Sequence, residues 1–231
     1  MNVSLVYISA LAMTNYTTSV EDYLKAIYEV SRPTGSAGTS EVAARLAVAS
    51  ASVSAMVRRL TGQGLVSHEP YSGLRLTKKG RSVALQLVRR HRVIEAYLVT
   101  ALGYSWDEVH VEAERLEHAA SPELINRMAA AIGEPAVDPH GAPIPTAHGK
   151  LEEPTYRTLG SLAAGEKAQI VLVEDEDPEL LRYLASMRFV PGATVSCLKK
   201  EPYEGPLTIR VGSKTHVIGL PLAARVFVNV A

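Results

Sequence analysis

Six side chains near the middle of the sequence have the types and the spacing to hold a divalent cation. His91 and Glu95 stand four residues apart, and His110, Glu114, Glu117 and His118 follow on the next helical stretch. At ~100° per residue the last four fall within an arc of about 100°, so they share one helix face. Carboxylates crowded onto one stripe repel one another unless a cation lies between them. Imidazole nitrogen and carboxylate oxygen are donors that divalent ions accept. The single cysteine, Cys197, can form neither an intrachain disulfide nor a thiolate cluster, which excludes a zinc ribbon and leaves His and carboxylates as ligands. A hydrolytic metalloenzyme built on an activated water would also need a pocket and a recognisable base, and the chain has neither H-E-x-x-H nor a nucleophile and base pair. The expectation is therefore a protein that binds a divalent ion and is not an enzyme, with no small organic substrate.

The elements that must carry these residues are legible in the periodicity. Val20, Tyr23, Leu24, Ile27 and Tyr28 recur at helical spacing over 18–30, and RPTGSAG then breaks the helix. Thr39 or Ser40 is expected to cap a second short helix, SEVAARLA, and ASVSAMVRRLTGQG forms a third that Gly64 ends. LVSHEPYSGLRLTKKGR alternates about Tyr71, Ser72 and Gly73 as a hairpin would, and Thr77 caps the next helix. Three helices and a hairpin make a winged helix-turn-helix. Its third helix offers Ser50, Ser52 and Ser54 near the N-terminus, the small Ala51 and Ala55, and Arg58 with Arg59. Together with Thr39 and Ser40 these suit a groove of double-stranded DNA, the hydroxyls and arginines meeting phosphates and the small residues allowing deep seating. Longer helices are predicted over about 78–101, 105–119 and 121–132.

The formal net charge is zero, but it is unevenly laid out. By count, residues 1–92 carry +7, residues 93–153 carry −8 and residues 154–231 carry +1. A basic head suits phosphates, and an acidic middle that also holds four of the seven histidines suits a cation. GEPAVDPHGAPIPTAHGKLEEP reads as an irregular linker. Beyond it the period changes to two in QIVLV, TVSCL, LTIRV and RVFVNV, with one helix near Pro178 to Met187, which predicts a small β-barrel of the SH3 type. The apolar start, MNVSLVYISALAM, lacks a basic residue before Lys25 and is too short for a membrane span, so it reads as a poorly ordered leader or an early start, and the protein is expected in the cytoplasm.

VEDYLKAIYEV, the winged helix through LTKKGR, RRHRVIEAYL and VHVEAERLEHAAS resemble the diphtheria toxin repressor family of iron and manganese regulators over residues 16–231. DPHG-x-PIP and the terminal barrel resemble its longer members. The resemblance implies a mainly α protein with a small β domain: a winged helix at 14–86, a helical metal-binding and dimerisation domain with linker at 87–153, and an SH3-like domain, of the ferrous-iron-transport-A type, at 154–231. It implies a homodimeric repressor that binds operator DNA when loaded with two ions per subunit, with no membrane association. The primary ion would take Asp22, Glu114, Glu117 and His118, and the ancillary ion His91, Glu95 and His110 with a contribution from Glu174, Asp175 or Glu176. Iron-responsive members place Met at the position of Asp22 and Cys at that of Glu114. Asp and Glu there imply Mn²⁺, with Fe²⁺ as the alternative. Short manganese regulators use a Glu where this chain has Lys25, which departs from their close-set ion pair.

Overall fold

The computed structural model describes residues 16–32, 34–69, 73–152, 154–174 and 177–230. Its contacts divide the chain into two compact units, Met1–Leu87 and Val88–Ala231. The leader, the tip of the expected hairpin, Asp175 and Glu176 lie outside the described residues.

In the first unit, α1 (Thr18–Ser31), α2 (Thr39–Arg45) and α3 (Ser50–Gly62) precede the antiparallel pair β1 (Val66–Glu69) and β2 (Gly73–Leu76). The periodic residues of α1 are all buried, as are Val42 of α2, Val53, Val57 and Leu60 of α3 and Leu74 of β2. The chain turns by 109° between α2 and α3, as a helix-turn-helix requires. The Glu29 carboxylate accepts from Arg45 at 2.7 Å and ties α2 to α1. Ala37 pairs with Leu74 and adds a third segment to the wing. The cap of α2 is neither Thr39 nor Ser40, both of which lie inside the helix. Gly38 is the N-cap, and its N–H donates to Glu41 Oε2 at 2.7 Å. A carboxylate three residues on thus holds the N-cap by its own N–H, with no hydroxyl at the cap. Thr77 does cap α4 (Lys78–Leu102), accepting from Gly80 N at 3.1 Å. Gly64 takes φ +68° just after α3.

In the second unit, the later part of α4 packs with α5 (Val109–Leu116) and α6 (Pro122–Ala131) on a core of Val93, Ile94, Leu98, Val109, Ala113, Ile125 and Ala129. α5 is shorter at both ends than the spacing predicts, and Glu117 and His118 stand in the turn that follows it. A six-stranded antiparallel sheet comes next, in the order β3 (Arg157–Thr158), β8 (Val226–Val230), β4 (Lys167–Val173), β5 (Thr194–Lys200), β6 (Leu207–Val211) and β7 (Lys214–Ile218), with α7 (Pro178–Ser186) and α8 (Leu220–Ala223) alongside. β3 and β7 add to the apolar runs seen in the sequence. Register slips in β4 between Ile170 and Leu172. There the strand meets the linker, with Val173 N–H donating to the His140 carbonyl at 3.0 Å.

Gly141 allows that approach. Its φ is +94°, and an added Cβ would lie 1.9 Å from the Val171 carbonyl oxygen. Gly141→Ala is expected to cost at least ~2 kcal/mol in chemical denaturation. Gly149→Ala, at φ +74° but with no described atom within 4 Å, is the comparator and is expected to cost only about 1 kcal/mol.

Candidate metal centre

α4 and α5 bring the helical donors together. His91 Nε2 lies 2.9 Å from Glu95 Oε1 and 3.1 Å from His110 Nδ1, and His110 Nδ1 lies 3.3 Å from the same Glu95 oxygen. The two imidazoles meet edge-on at 4.8 Å. On its other side His91 Nδ1 is 2.6 Å from Glu117 Oε2. Glu114 is exposed, with Oε1 3.9 Å from both His91 Nδ1 and His110 Nε2, whereas Glu95 and Glu117 are fully buried. His91, His110 and Glu114 can each offer one donor atom, all within 4.8 Å of one another. His118 Nε2 lies 3.6 Å from Glu117 Oε1. Asp22 is half-buried on α1, in the first unit.

A second grouping joins the far oxygen of Glu95 to the linker: Glu95, Asp138 and His140 offer donors within 4.8 Å of one another, and all three are buried. Asp138 Oδ1 accepts from His140 N and Ala142 N, both at 2.9 Å, and forms a tight turn. Its Oδ2 is 3.5 Å from Arg92 Nε. His140 Nε2 lies 2.7 Å from the Trp106 carbonyl, which can only accept, so Nε2 carries the proton. His140 Nδ1 lies 3.9 Å from Glu95 Oε2. That Glu95 oxygen is buried and accepts no hydrogen bond. Carboxylates and imidazoles gathered about Glu95 in this way fit a hard divalent cation. Burial alone would raise the Glu95 carboxyl. The field of His91, hydrogen bonds from His110 and His91, and the field of His140 outweigh it and hold Glu95 well below the usual carboxylate range.

Sequence reasoning took the linker as irregular and missed Asp138 and His140 as a pair. Their signal was available: an acid and a histidine two residues apart beside a glycine, within the acidic third of the chain. Of the residues expected from the barrel, Glu174 lies 3.5 Å from Arg225 Nε; the neighbouring Asp177 caps α7 by accepting from Glu179 N and Leu180 N. In the first unit, Val53, Val57 and Leu60 turn inward from α3, leaving Ser50, Ala51, Ser52, Ser54, Ala55, Arg58 and Arg59 exposed, with Ser40 exposed and Thr39 half-buried on α2. No single helix among the described residues is long and apolar enough to cross a membrane.

A winged helix followed by a His- and Glu-bearing helical segment and a small sheet domain is the architecture of metal-dependent transcriptional repressors. Residues 15–74 match the family model described as "Iron dependent repressor, N-terminal DNA binding domain", and residues 77–146 match "Iron dependent repressor, metal binding and dimerisation domain". Residues 157–230 match "FeoA domain". The iron-dependent repressor IdeR of Mycobacterium leprae is 31% identical over 196 residues, spanning 80% of this chain and 85% of the relative. A solved manganese-dependent transcriptional repressor in complex with manganese is 37% identical with TM-score 0.83, covering 92% of this chain and 100% of that one. The manganese regulator SloR is 32% identical with TM-score 0.76, covering 92% and 98%. The chain belongs to the iron-dependent repressor family of metal-dependent, DNA-binding transcriptional regulators.

The Asp138 turn can be tested without metal. Asp138→Ala leaves two buried N–H groups without their acceptor and is expected to destabilise the metal-free protein by about 2–4 kcal/mol in denaturant titration. Asp138→Asn keeps an acceptor at Oδ1 and is expected to cost less than about half as much.

Proposed function

We propose that this protein is a manganese-dependent repressor of metal-homeostasis genes that binds operator DNA as a homodimer, in the cytoplasm, with two ions per subunit. The observation that carries the choice of ion is the donor set. Asp22 and Glu114 stand where the family's iron-responsive members have Met and Cys, and His91, Glu95 and His110 add only imidazole nitrogen and carboxylate oxygen. Removing thioether and thiolate removes the soft ligands that favour later transition metals. The first ion takes Asp22, Glu114, Glu117 and His118. The second takes His91, Glu95 and His110, with Asp175, Glu174 or Glu176 the expected further ligand from the barrel, while Asp138 and His140 stand on the side of the other Glu95 oxygen. Fe²⁺ is the second reading, favoured by the curated iron-dependent relatives.

Each bound ion supplies positive charge that lets crowded carboxylates converge. The chain's own residues do the rest. Asp22 ties α1, and with it the winged helix, to the turn that carries Glu117 and His118, so the two reading heads of a dimer hold a separation that matches two half-sites. Val111, Leu116 and Leu124, exposed at 45%, 40% and 48% on α5 and α6, supply apolar surface for the second subunit. Metal and DNA then bind with reciprocal coupling, of about 1–3 kcal/mol. The exposed face of α3 carries no bidentate base reader at Ala51 or Ala55, so specificity draws on thymine methyls and DNA shape.

Metal-stripped protein, titrated anaerobically on its own upstream DNA with Mn²⁺ or Fe²⁺ at fixed salt, is expected to bind at lower free Mn²⁺. Glu114→Ala should lose the metal dependence, and Asp22→Met with Glu114→Cys should move the preference toward Fe²⁺. Equal or better activation of the unsubstituted protein by Fe²⁺ makes it an iron regulator, and DNA binding indifferent to metal removes the sensor reading. Arg58→Ala and Arg59→Ala should each weaken binding similarly across operator variants and lower the slope of log K against log salt by about 1 per phosphate contact removed.

A further inference from the structure

We propose, on the second-ion reading given above, that Arg89 and Arg92 of α4 are positioning residues: they hold the linker hairpin that sets the barrel's ligand against the second ion. Neither side chain can itself ligate a cation. At ~100° per residue they stand about 60° apart on the helix, with His91 and Glu95 about a third of a turn away. Clamp and ligands thus share two turns of one helix. Arg89 Nη1 donates to the Pro145 carbonyl at 2.8 Å, and Arg92 Nη1 donates to the Pro143 carbonyl at 2.5 Å. The spacings match. Side chains three residues apart on a helix have Cβ atoms about 5–6 Å apart, and carbonyls two residues apart on extended chain repeat every ~6.5 Å. Each proline fixes its own φ and pushes the residue before it toward extended backbone, so Pro143, Ile144 and Pro145 are set for that reach. Ile144 packs on the helical core between the two clamped carbonyls.

The clamped segment is one arm of a small hairpin. Asp138 N–H donates to the Ala142 carbonyl at 3.0 Å, and Ile144 N–H donates to the Ala136 carbonyl at 2.8 Å. Arg92 Nε, 3.5 Å from Asp138 Oδ2, holds the other arm as well. The tip meets β4: the His140 carbonyl accepts from Val173 N–H, and Gly141 lies against the Val171 carbonyl. Glu174, the first of the three acids expected to supply the barrel's ligand, follows Val173 directly. The route from α4 to that ligand is guanidinium, proline carbonyl, hairpin tip and the end of β4. The acceptors of Arg89 are neutral, the Pro145 carbonyl and Asn126 Oδ1, and burial pushes its guanidinium down while the field of Glu134 opposes. A half-buried cation held by neutral groups adds little stability, and this one stands on the helix that must attract a further positive charge.

The test uses the full chain in an Asp22→Ala background, which silences the first ion, with bound Mn²⁺ counted from the free-ion EPR signal. If field alone matters, removing two like charges near the site tightens the cation. Arg89→Gln with Arg92→Gln is instead expected to weaken the remaining ion by about 10-fold, and Arg92→Lys, which keeps the charge but not the fork, by less. Replacing the barrel acids by Glu174→Gln, Asp175→Asn and Glu176→Gln should weaken the ion by itself. In that chain the double arginine substitution is expected to change the affinity by less than about 2-fold. Tighter or unchanged binding in the folded double variant overturns the proposal, as does an equal loss with and without the three acids. If replacing the acids leaves the affinity unchanged, the barrel supplies no ligand and the proposal falls. A measurement on the Asp22→Ala protein stands even if the double variant folds poorly. Mn²⁺ should slow hydrogen exchange at the Ile144 and Val173 amides together, and no slowing overturns the coupling. If Asp22→Ala binds no ion where the unsubstituted protein binds one, the second-ion reading falls and the proposal falls with it.

Discussion

A carboxylate with no solvent exposure must be compensated, and in this protein Glu95 is that carboxylate. Its placement on α4, one turn after His91, dictates much of what surrounds it. Oε1 faces His91 and His110, which draws α5 onto α4, while Oε2 faces the Asp138 and His140 turn, which draws the linker in. That linker is then pinned to β4 by the His140 carbonyl and by a glycine that lets two backbones meet. Glu95 shares that path from helix to sheet with Arg92 of α4, which reaches the linker at Pro143 and Asp138. Metal-free, the Glu95 charge leans on imidazoles, and each added cation replaces a proton-dependent partner by a fixed one.

His91 has a second consequence. Its two ring nitrogens lie 2.6 Å from a Glu117 oxygen and 2.9 Å from a Glu95 oxygen. A neutral imidazole carries one N–H, so it can donate to only one of the two. Whichever carboxylate a cation claims changes what the other receives from His91. The two proposed ions are thus joined through a shared histidine, a direct physical route for linkage between sites. Glu114, exposed and 3.9 Å from both histidines, sits where it can turn toward either group.

How much of this could be read beforehand depended on whether the determinant was local. The α1 stripe of Val20, Tyr23, Leu24, Ile27 and Tyr28 is buried as its period requires, and the inward and outward faces of α3 follow the same rule. His110 and Glu114 keep the helical spacing the sequence implies, whereas the helix closes at Leu116 and leaves Glu117 and His118 in the turn after it, where spacing on a helix face no longer places them. The cap of α2 was misread because Gly38 has no side chain to mark it as an N-cap, and the bond that holds it comes from Glu41, three residues on, reaching back to the Gly38 N–H. His140 was passed over for a deeper reason: its burial is imposed by β4 and the Trp106 loop, both distant in sequence, and prolines around it mimic a solvated linker.

The proposed selectivity for Mn²⁺ cannot come from affinity, which rises from Mn²⁺ toward Cu²⁺ in any such site. It must come from what the donors forbid. A Cu²⁺ or Ni²⁺ ion gains most from nitrogen or sulfur in square or tetragonal arrays. Here the donors proposed for the first ion are three carboxylates and one imidazole, and the second set shares the buried Glu95 between His91 and His110. With Glu95 held by both imidazoles and Glu117 by His91, neither buried carboxylate is at liberty to rearrange toward a smaller, more directional ion. Rigidity of hard donors imposes a penalty on the stronger binders, so the weakest member of the series can still be the one that organises the protein.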